Sequence, residues 1–141
     1  MPLFAANYAE VTVGEQKPIN LDRQRYAEFE AEGLLRLYTA RTVTGQLIGY
    51  TQFILGRNLH HCEQRDAWHD ATYLLPEYRG NRTGKTLLAF ADLHLINDGA
   101  DAIYQHVTPR GTHGAMLERM GYGVVETIYM RRIKESDHGR R

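Results

Sequence analysis

The 141-residue sequence has little that would divide it, export it or anchor it in a membrane. Cys62 is the only cysteine, so no intramolecular disulfide can form, and the N-terminus lacks the pattern of a secretory signal. No apolar run approaches the length that a bilayer requires, and no repeat or Pro/Gly/Ser-rich linker interrupts the chain. We therefore expect one cytoplasmic domain over residues 1–141, with 1–19 and 134–141 as poorly defined termini.

The sequence also lacks an excess of charge of either sign. Lys plus Arg and Asp plus Glu both total 17, so no global field attracts a polyanion or an anionic membrane. Nucleic acid and membranes are therefore not expected as partners. The hydrophobic fraction of 43% is ordinary for a packed globular fold.

Hydrophobic patterning predicts a mixed α/β domain. A helix is expected from an N-cap at Asn20 to Glu32, with Gly33 as its stop, followed by an antiparallel hairpin of residues 34–43 and 47–55. The later elements are a strand at 68–75, a helix at 84–98, a strand at 102–107, a helix at 112–120 and a final strand at 124–133. A strand-helix-strand unit makes a right-handed parallel crossover, so the central sheet should be mixed.

The segment 76–86 ends a strand and opens a helix, and it carries the chemistry. Helix starts have unpaired N–H groups and a positive dipole end, which together bind anionic oxygen. Arg79, Arg82 and Lys85 add positive charge. An ATP-binding loop is excluded because three residues, not four, separate Gly80 from Gly84. The alternative is a plain turn with solvated basic side chains.

The stretch from Leu74 to Lys85 resembles the acetyl-CoA motif of GNAT acetyltransferases, an Arg/Gln-x-x-Gly-x-Gly/Ala loop after a strand ended by proline. Residues 114–122 are similar to the family's second cofactor segment, a helix ending in a Gly-aromatic pair. The resemblance covers about residues 20–133, and the pattern from Leu59 through Asp70 to the end of the chain, including residues 126–129, particularly resembles small bacteriophage-encoded members. It implies a single-domain GNAT fold in which acetyl-CoA contacts Leu74, Leu75, Arg79, Gly80, Asn81, Arg82, Thr83, Gly84 and Lys85.

The resemblance further implies direct attack of a primary amine, on a small molecule or a protein, upon the acetyl thioester. The backbone N–H of Leu74 or Leu75 would stabilise the carbonyl oxygen. Asp70, four residues before Leu74 and so expected on the same face, is the candidate base, and His106 on the next strand is a second candidate. The alternatives are a salt-bridged Asp70 and a structural His106. Association of the chain into a homodimer stays open at this point.

Two residues depart from the family pattern. Arg82 stands where the motif usually has its first loop glycine, which is sterically acceptable if φ is negative, and its guanidinium could contact phosphate. Leu117 stands where many members have the tyrosine that protonates the leaving thiolate, so another acid, or none, must act. The missing tyrosine suggests one rival, a non-catalytic acyl-CoA-binding module. The phage-like resemblance alone suggests another, a nucleic-acid-modification or anti-host protein on the same fold.

Four residues are of types that bind zinc: His60, His61, Cys62 and His69. Their spacing disfavours a zinc site. Adjacent side chains on an extended segment point in opposite directions, and no C-x-x-C or H-x-x-x-H pair is present. We therefore expect no metal site.

Overall fold

The computed structural model describes residues 2–12 and 18–133. Within them the helices are α1 (Pro2–Val11), α2 (Arg23–Ala31), α3 (Thr83–Asn97) and α4 (His113–Arg119), with a 3-10 turn at Pro76–Tyr78. The strands are β1 (Leu35–Arg41), β2 (Leu47–Arg57), β3 (Arg65–Leu74) and β4 (Ala102–Tyr104). They form one sheet in the order β1-β2-β3-β4.

The sheet is mixed, as the sequence predicts. β1, β2 and β3 pair antiparallel, and β3 pairs with β4 in parallel across the crossover helix α3. The predicted hairpin is therefore confirmed, with β3 beginning three residues earlier than expected and β4 ending three residues earlier.

Helix α2 begins later than the sequence suggests. The predicted N-cap, Asn20, is wrong, because Asp22 Oδ1 accepts the N–H of Arg25 at 3.0 Å and so caps the helix. The predicted stop is confirmed: Gly33 adopts φ +69°, in the left-handed region, and Leu34 N–H donates to Phe29 O at 2.8 Å.

The predicted final strand at 124–133 is wrong. Its described residues contain no strand, and Val124 and Tyr129 are 83% and 92% exposed. Alternation of apolar residues satisfies only the side-chain period of a strand, whereas a strand also needs a partner backbone. β4 offers few backbone groups with which residues 124–133 could pair, since the strand covers only Ala102–Tyr104. Residues 134–141 lie outside the described residues.

The two faces of the sheet are covered by different helices. On one face the predicted apolar stripe of α3 is confirmed, and Ala91 and Leu95 form a fully buried cluster with Phe53 and other side chains. On the other face Leu3 of α1 packs with Tyr50 and Tyr73. The sequence gives no structural prediction for the N-terminal segment, so it does not indicate this second core layer.

His69 is a buried polar side chain on the face of the sheet that α3 covers. It is 8% exposed, its Nε2 lies 2.8 Å from Thr72 Oγ1, and its ring meets Phe53 edge-on at 5.6 Å between centroids. Burial lowers the pKa of His69 to about 4, because the charged imidazolium would lose its hydration. The folded protein therefore keeps His69 neutral well below the usual titration range.

A steric prediction concerns Gly49, which lies opposite Leu74. A Cβ at position 49 would lie 2.7 Å from both Leu74 Cδ1 and the backbone Tyr73 O, which cannot move without disturbing β3. Gly49→Ala should therefore lower the free energy of unfolding by about 1–3 kcal/mol, measured by urea denaturation. Gly56→Ala is the control, since nothing lies within 4 Å of a Cβ there. Equal midpoints for the two variants would contradict the packing.

A pH prediction follows from His69. Below pH 6.5 the unfolded chain protonates this imidazole while the folded protein does not, down to its pKa of about 4, so stability falls with acidification. The slope is ~1.4 kcal/mol per pH unit. His69→Gln keeps a polar partner for Thr72 but cannot titrate. Between pH 7 and pH 5, the parent should lose about 2 kcal/mol more stability than this variant. Parallel losses in urea unfolding would show that His69 titrates normally.

Candidate active site

A cleft opens where β3 and β4 part. The two strands pair only from Asp66↔Ala102 to Trp68↔Tyr104, where the Trp68 and Tyr104 rings stack at 4.0 Å. Beyond this point no described strand pairs with β3 on that side. We call the opening between residues 70–75 and residues 105–109 the cleft. It lies at the carboxyl ends of two parallel strands, where ligands of α/β sheets usually bind.

The β2–β3 ladder decides which backbone groups face the cleft. Leu75 N–H donates to Ile48 O at 2.8 Å and is therefore used within the sheet. In an antiparallel ladder the next residue, Leu74, directs its N–H and C=O to the other side. Of the two predicted amides, only Leu74 faces the cleft. By the same alternation, the N–H of Thr72, two residues before Leu74 in β3, also faces the cleft. The sequence prediction did not include Thr72, although the two-residue period of a strand indicates it.

The turn after β3 presents a group of unused N–H donors. The N–H groups of Tyr78, Arg79, Thr83 and Thr86 have protein partners. From Gly80 onward, the N–H groups without a hydrogen bond to any other described residue are those of Gly80, Asn81, Arg82, Gly84 and Lys85. The Asn81 side chain is occupied locally, because its Oδ1 accepts from Thr83 N–H at 2.9 Å. The start of α3 therefore has the donor set of an anion site.

The three basic side chains of this turn have different environments. Arg79 Nε donates to Leu74 O at 2.7 Å, and its guanidinium pairs with Glu10 at 2.9 Å and lies over the Tyr73 ring. Arg79 therefore fastens the end of β3 to α1. Arg82 and Lys85 are exposed and make no ion pair with the described residues. They supply the free positive charge.

Arg82 meets the steric condition set by the sequence. Its φ is −78° and its ψ is −7°, an ordinary right-handed conformation that any residue can adopt. Gly80 instead has φ +77°, in the left-handed region where a side chain is strained. The glycine that this turn requires for its backbone is therefore Gly80, and an arginine at position 82 costs no strain.

Asp70 lies at a bulge that the sequence did not reveal. Gln52 is opposite Ala71 and Phe53 is opposite His69, so Asp70 has no cross-strand partner. The expected common face of Asp70 and Leu74 is therefore wrong. Asp70 lies on the α2 side of the sheet, where its Oδ2 accepts from Gln52 Nε2 at 2.7 Å. Leu74 lies on the α3 side, where its Cδ2 would be 3.9 Å from a Cβ on Gly84.

The surroundings of Asp70 are polar and uncharged. Tyr26 OH lies 3.5 Å from Asp70 Oδ2, and the carboxylate makes no ion pair with any described cation. The salt-bridge alternative is therefore not what the described residues show. Neither Tyr26 nor Gln52 was identified from the sequence, because tyrosine counted as part of the apolar helix face and glutamine carried no signal of its own.

His106 lies at the base of the cleft. Its Nδ1 is 2.8 Å from the carbonyl oxygen of His69, and its ring is 6.0 Å from that of Trp68. The structure shows no direct contact between His106 and Asp70. The two predicted catalytic side chains are therefore not brought together as a pair.

Helix α4 lies beside the 105–109 side of the cleft, where a Cβ on Gly114 would be 4.0 Å from Val107 Cγ2. Leu117 is 5% exposed and provides an apolar side chain where a hydroxyl would be expected. Tyr122 OH donates to Asp92 Oδ1 at 2.6 Å and so ties the segment after α4 to α3. Burial raises the pKa of Asp92. The tyrosine nearest to position 117 is thus already hydrogen-bonded within the protein.

A cavity of about 670 Å³ lies on the α2 side of the sheet. We call it the α2 cavity; its lining includes Phe4, Tyr26, Leu35, Leu37 and Gln52. Gln52 lines this cavity and donates to Asp70, so the candidate base lies next to the cavity, behind Gln52. A second cavity, of about 770 Å³, lies beside β4 and residues 121–128.

The described part of the chain contains no group of three or more His, Cys, Asp or Glu side chains that could hold a metal ion. His60 and His61 instead donate their N–H groups to Asn58 Oδ1. Among these same residues no helix has the length and apolar character of a membrane span.

Comparison with known proteins agrees with this geometry. The model of the acetyltransferase (GNAT) family matches residues 6–122, whereas no curated protein matches the chain. A putative acetyltransferase from Agrobacterium tumefaciens str. C58 superposes with a TM-score of 0.71 at 16% identity, over 94% of this chain and 92% of that one. Glucosamine-6-phosphate N-acetyltransferase from Arabidopsis thaliana gives 0.67 at 17%, over 92% and 88%.

A third similar structure is that of the aminoglycoside N-acetyltransferase AAC(6')-Iy, in complex with CoA. Its TM-score is 0.61 at 19% identity, over 79% of this chain and 87% of that one. Identities this low show a common fold, while the family model covers most of the sequence including the cleft and its turn. The chain therefore belongs to the GNAT family of acetyltransferases.

Proposed function

We propose that this protein transfers the acetyl group of acetyl-CoA to a primary amine. The observation that carries the proposal is the group of unused N–H donors at the start of α3, which adjoins the cleft. Helix starts of this kind bind phosphate oxygens, and Arg82 and Lys85 add the charge that a diphosphate needs. Arg79 contributes to the site indirectly, because its hydrogen bond to Leu74 O holds the end of β3 in place.

The unpaired side of β3 suits the rest of the donor molecule. The pantetheine arm of CoA is extended and carries amide groups, so it can lie along β3 as an added strand would. Thr72 and Leu74 offer N–H donors on that side. A diphosphate at the turn and an amide-bearing arm in the cleft would then occupy one continuous site.

The chemistry requires an oxyanion donor and a proton acceptor. The amine attacks the thioester carbonyl, and a cleft-facing N–H of β3 stabilises the oxygen that becomes negative. The carbon–sulfur bond then breaks, and the amine loses a proton. Asp70 receives that proton, directly or through one water, while Gln52 and Tyr26 hold its carboxylate in place.

Leu117 implies that no side chain at this position protonates the thiolate. A thiol has a pKa of about 8.5, so a thiolate can leave at neutral pH and take its proton from solvent. Loss of the tyrosine is therefore compatible with turnover. A non-catalytic module remains the rival, and release of CoA is the measurement that separates the two.

The first test uses Gly84→Glu. A carboxylate in the first turn of α3 favours the helix but repels a diphosphate, so folding and cofactor binding should respond in opposite directions. We expect the Kd for acetyl-CoA to rise at least ~100-fold, about 2.7 kcal/mol, in isothermal titration. Ala89→Glu, the same charge change at an exposed position further along α3, should bind like the parent. If Gly84→Glu also binds like the parent, the diphosphate lies elsewhere.

The second test uses Asp70→Asn. The amide keeps a partner for Gln52 but cannot take up a proton, so kcat should fall about 10²- to 10⁴-fold while the Kd for acetyl-CoA stays within about twofold. Thiol release and titration measure the two quantities. Asp101→Asn is the control, because Asp101 accepts the Arg65 N–H at the opposite end of the strands. An unchanged kcat in Asp70→Asn would remove Asp70 from the mechanism.

A further inference from the structure

Three side chains form a row across the sheet on the face that α2 covers. Leu37 of β1 lies directly opposite Gln52 of β2, and Gln52 Nε2 reaches Asp70 Oδ2 at 2.7 Å. Neighbouring strands are ~4.8 Å apart, so the row extends about 10 Å from an apolar end to a carboxylate. This floor is shaped for a molecule with one apolar end and one cationic end.

The α2 cavity stands above Leu37 and Gln52 of this row, and Asp70 lies next to it, beyond Gln52. Its volume of about 670 Å³ falls within the range of small-molecule sites, and its walls are mainly apolar or aromatic. Phe4 and Tyr26 meet edge-to-face at 6.3 Å between ring centroids. Leu37 remains 42% exposed although it lies in the middle of a strand. An apolar ligand would cover this leucine and gain free energy by doing so.

The charges of the cavity leave room for one ammonium group. Arg36 is paired with Asp98 at 2.7 Å, so it does not attract a ligand carboxylate. Glu30 and Arg23 lie on the α2 wall of the cavity and offset one another in formal charge, although they form no ion pair with each other. At the sheet floor, Asp70 is the carboxylate next to the cavity, hydrogen-bonded to the lining residue Gln52. A second ammonium placed against Leu37 would lose its hydration without a partner, which is costly.

We infer that the acceptor is a monoamine with an aromatic or similarly apolar body, bound with its amine toward Asp70 and its body against Leu37. The inference rests on the proposed function and specifies its acceptor class. Polyamines and lysine side chains in polar peptides lack the apolar body and are disfavoured by the same contacts.

The test compares amines of graded size in the full chain with acetyl-CoA, following CoA release and confirming each product by mass spectrometry. Burying one ring is worth about 1.5–3 kcal/mol, so kcat/KM for 2-phenylethylamine should exceed that for ethylamine by about 10- to 100-fold. Spermidine and a lysine-containing polar peptide should stay near the ethylamine value.

A variant locates the selectivity. Leu37→Glu places a charge against the apolar body, and position 37 is exposed enough to accept it without unfolding, which thermal denaturation checks. The ratio of kcat/KM for 2-phenylethylamine to that for ethylamine should fall at least about 10-fold. Leu59→Glu, at a 97% exposed leucine outside the cavity, should keep the parental ratio.

The outcomes separate the inference from the proposed function. Higher kcat/KM for spermidine or the peptide than for 2-phenylethylamine overturns the acceptor class and leaves acetyl transfer standing. An unchanged ratio in Leu37→Glu places the aromatic body elsewhere and overturns the inference as well. Binding of acetyl-CoA without CoA release on any amine overturns both, because the protein would then be a non-catalytic module.

Discussion

The site depends on a β-ladder that stops early. β3 pairs with β4 over three residues and then continues alone, so the backbone donors of Thr72 and Leu74 have no strand partner on the cleft side. Leaving a buried N–H without a hydrogen bond costs about 1–3 kcal/mol. A ligand that supplies acceptors along this side recovers that free energy. The open side of β3 is thus a local weakness of the fold and, in the proposed function, the side along which the acetyl donor binds.

Several contacts fix the end of β3 so that the open side keeps its geometry. Leu75 is bonded to Ile48 on the paired side, and Arg79 holds Leu74 O from the cleft side. The absence of a Cβ at Gly49 lets β2 approach Leu74 closely. Pre-organised donors stabilise a developing charge without rearrangement. Among these contacts, Arg79 of the turn acts on the strand itself, through Leu74 O and Glu10.

The sequence predicted the features that local rules govern. The hairpin, the α3 stripe, the parallel crossover and the turn with its free N–H groups all follow from periodicity, glycine positions and helix-start chemistry. Non-local pairing was not predictable in the same way. Residues 124–133 have strand periodicity but no partner, and the bulge at Asp70 depends on how β2 and β3 align. Helix α1 gave no sequence signal, although Leu3 completes the second core layer.

The bulge connects the two halves of the proposed reaction. Without it, Asp70 and Leu74 would share a face, and the carboxylate would point toward α3. With one unpaired residue in β3, Asp70 turns to the α2 side and meets Gln52, while the Leu74 N–H stays in the plane of the sheet. In the proposed reaction the thioester would then enter along the strand, and the amine would approach its carbonyl carbon from the α2 cavity. A single extra residue in β3 would thus separate the proposed donor site from the proposed acceptor site while keeping them adjacent.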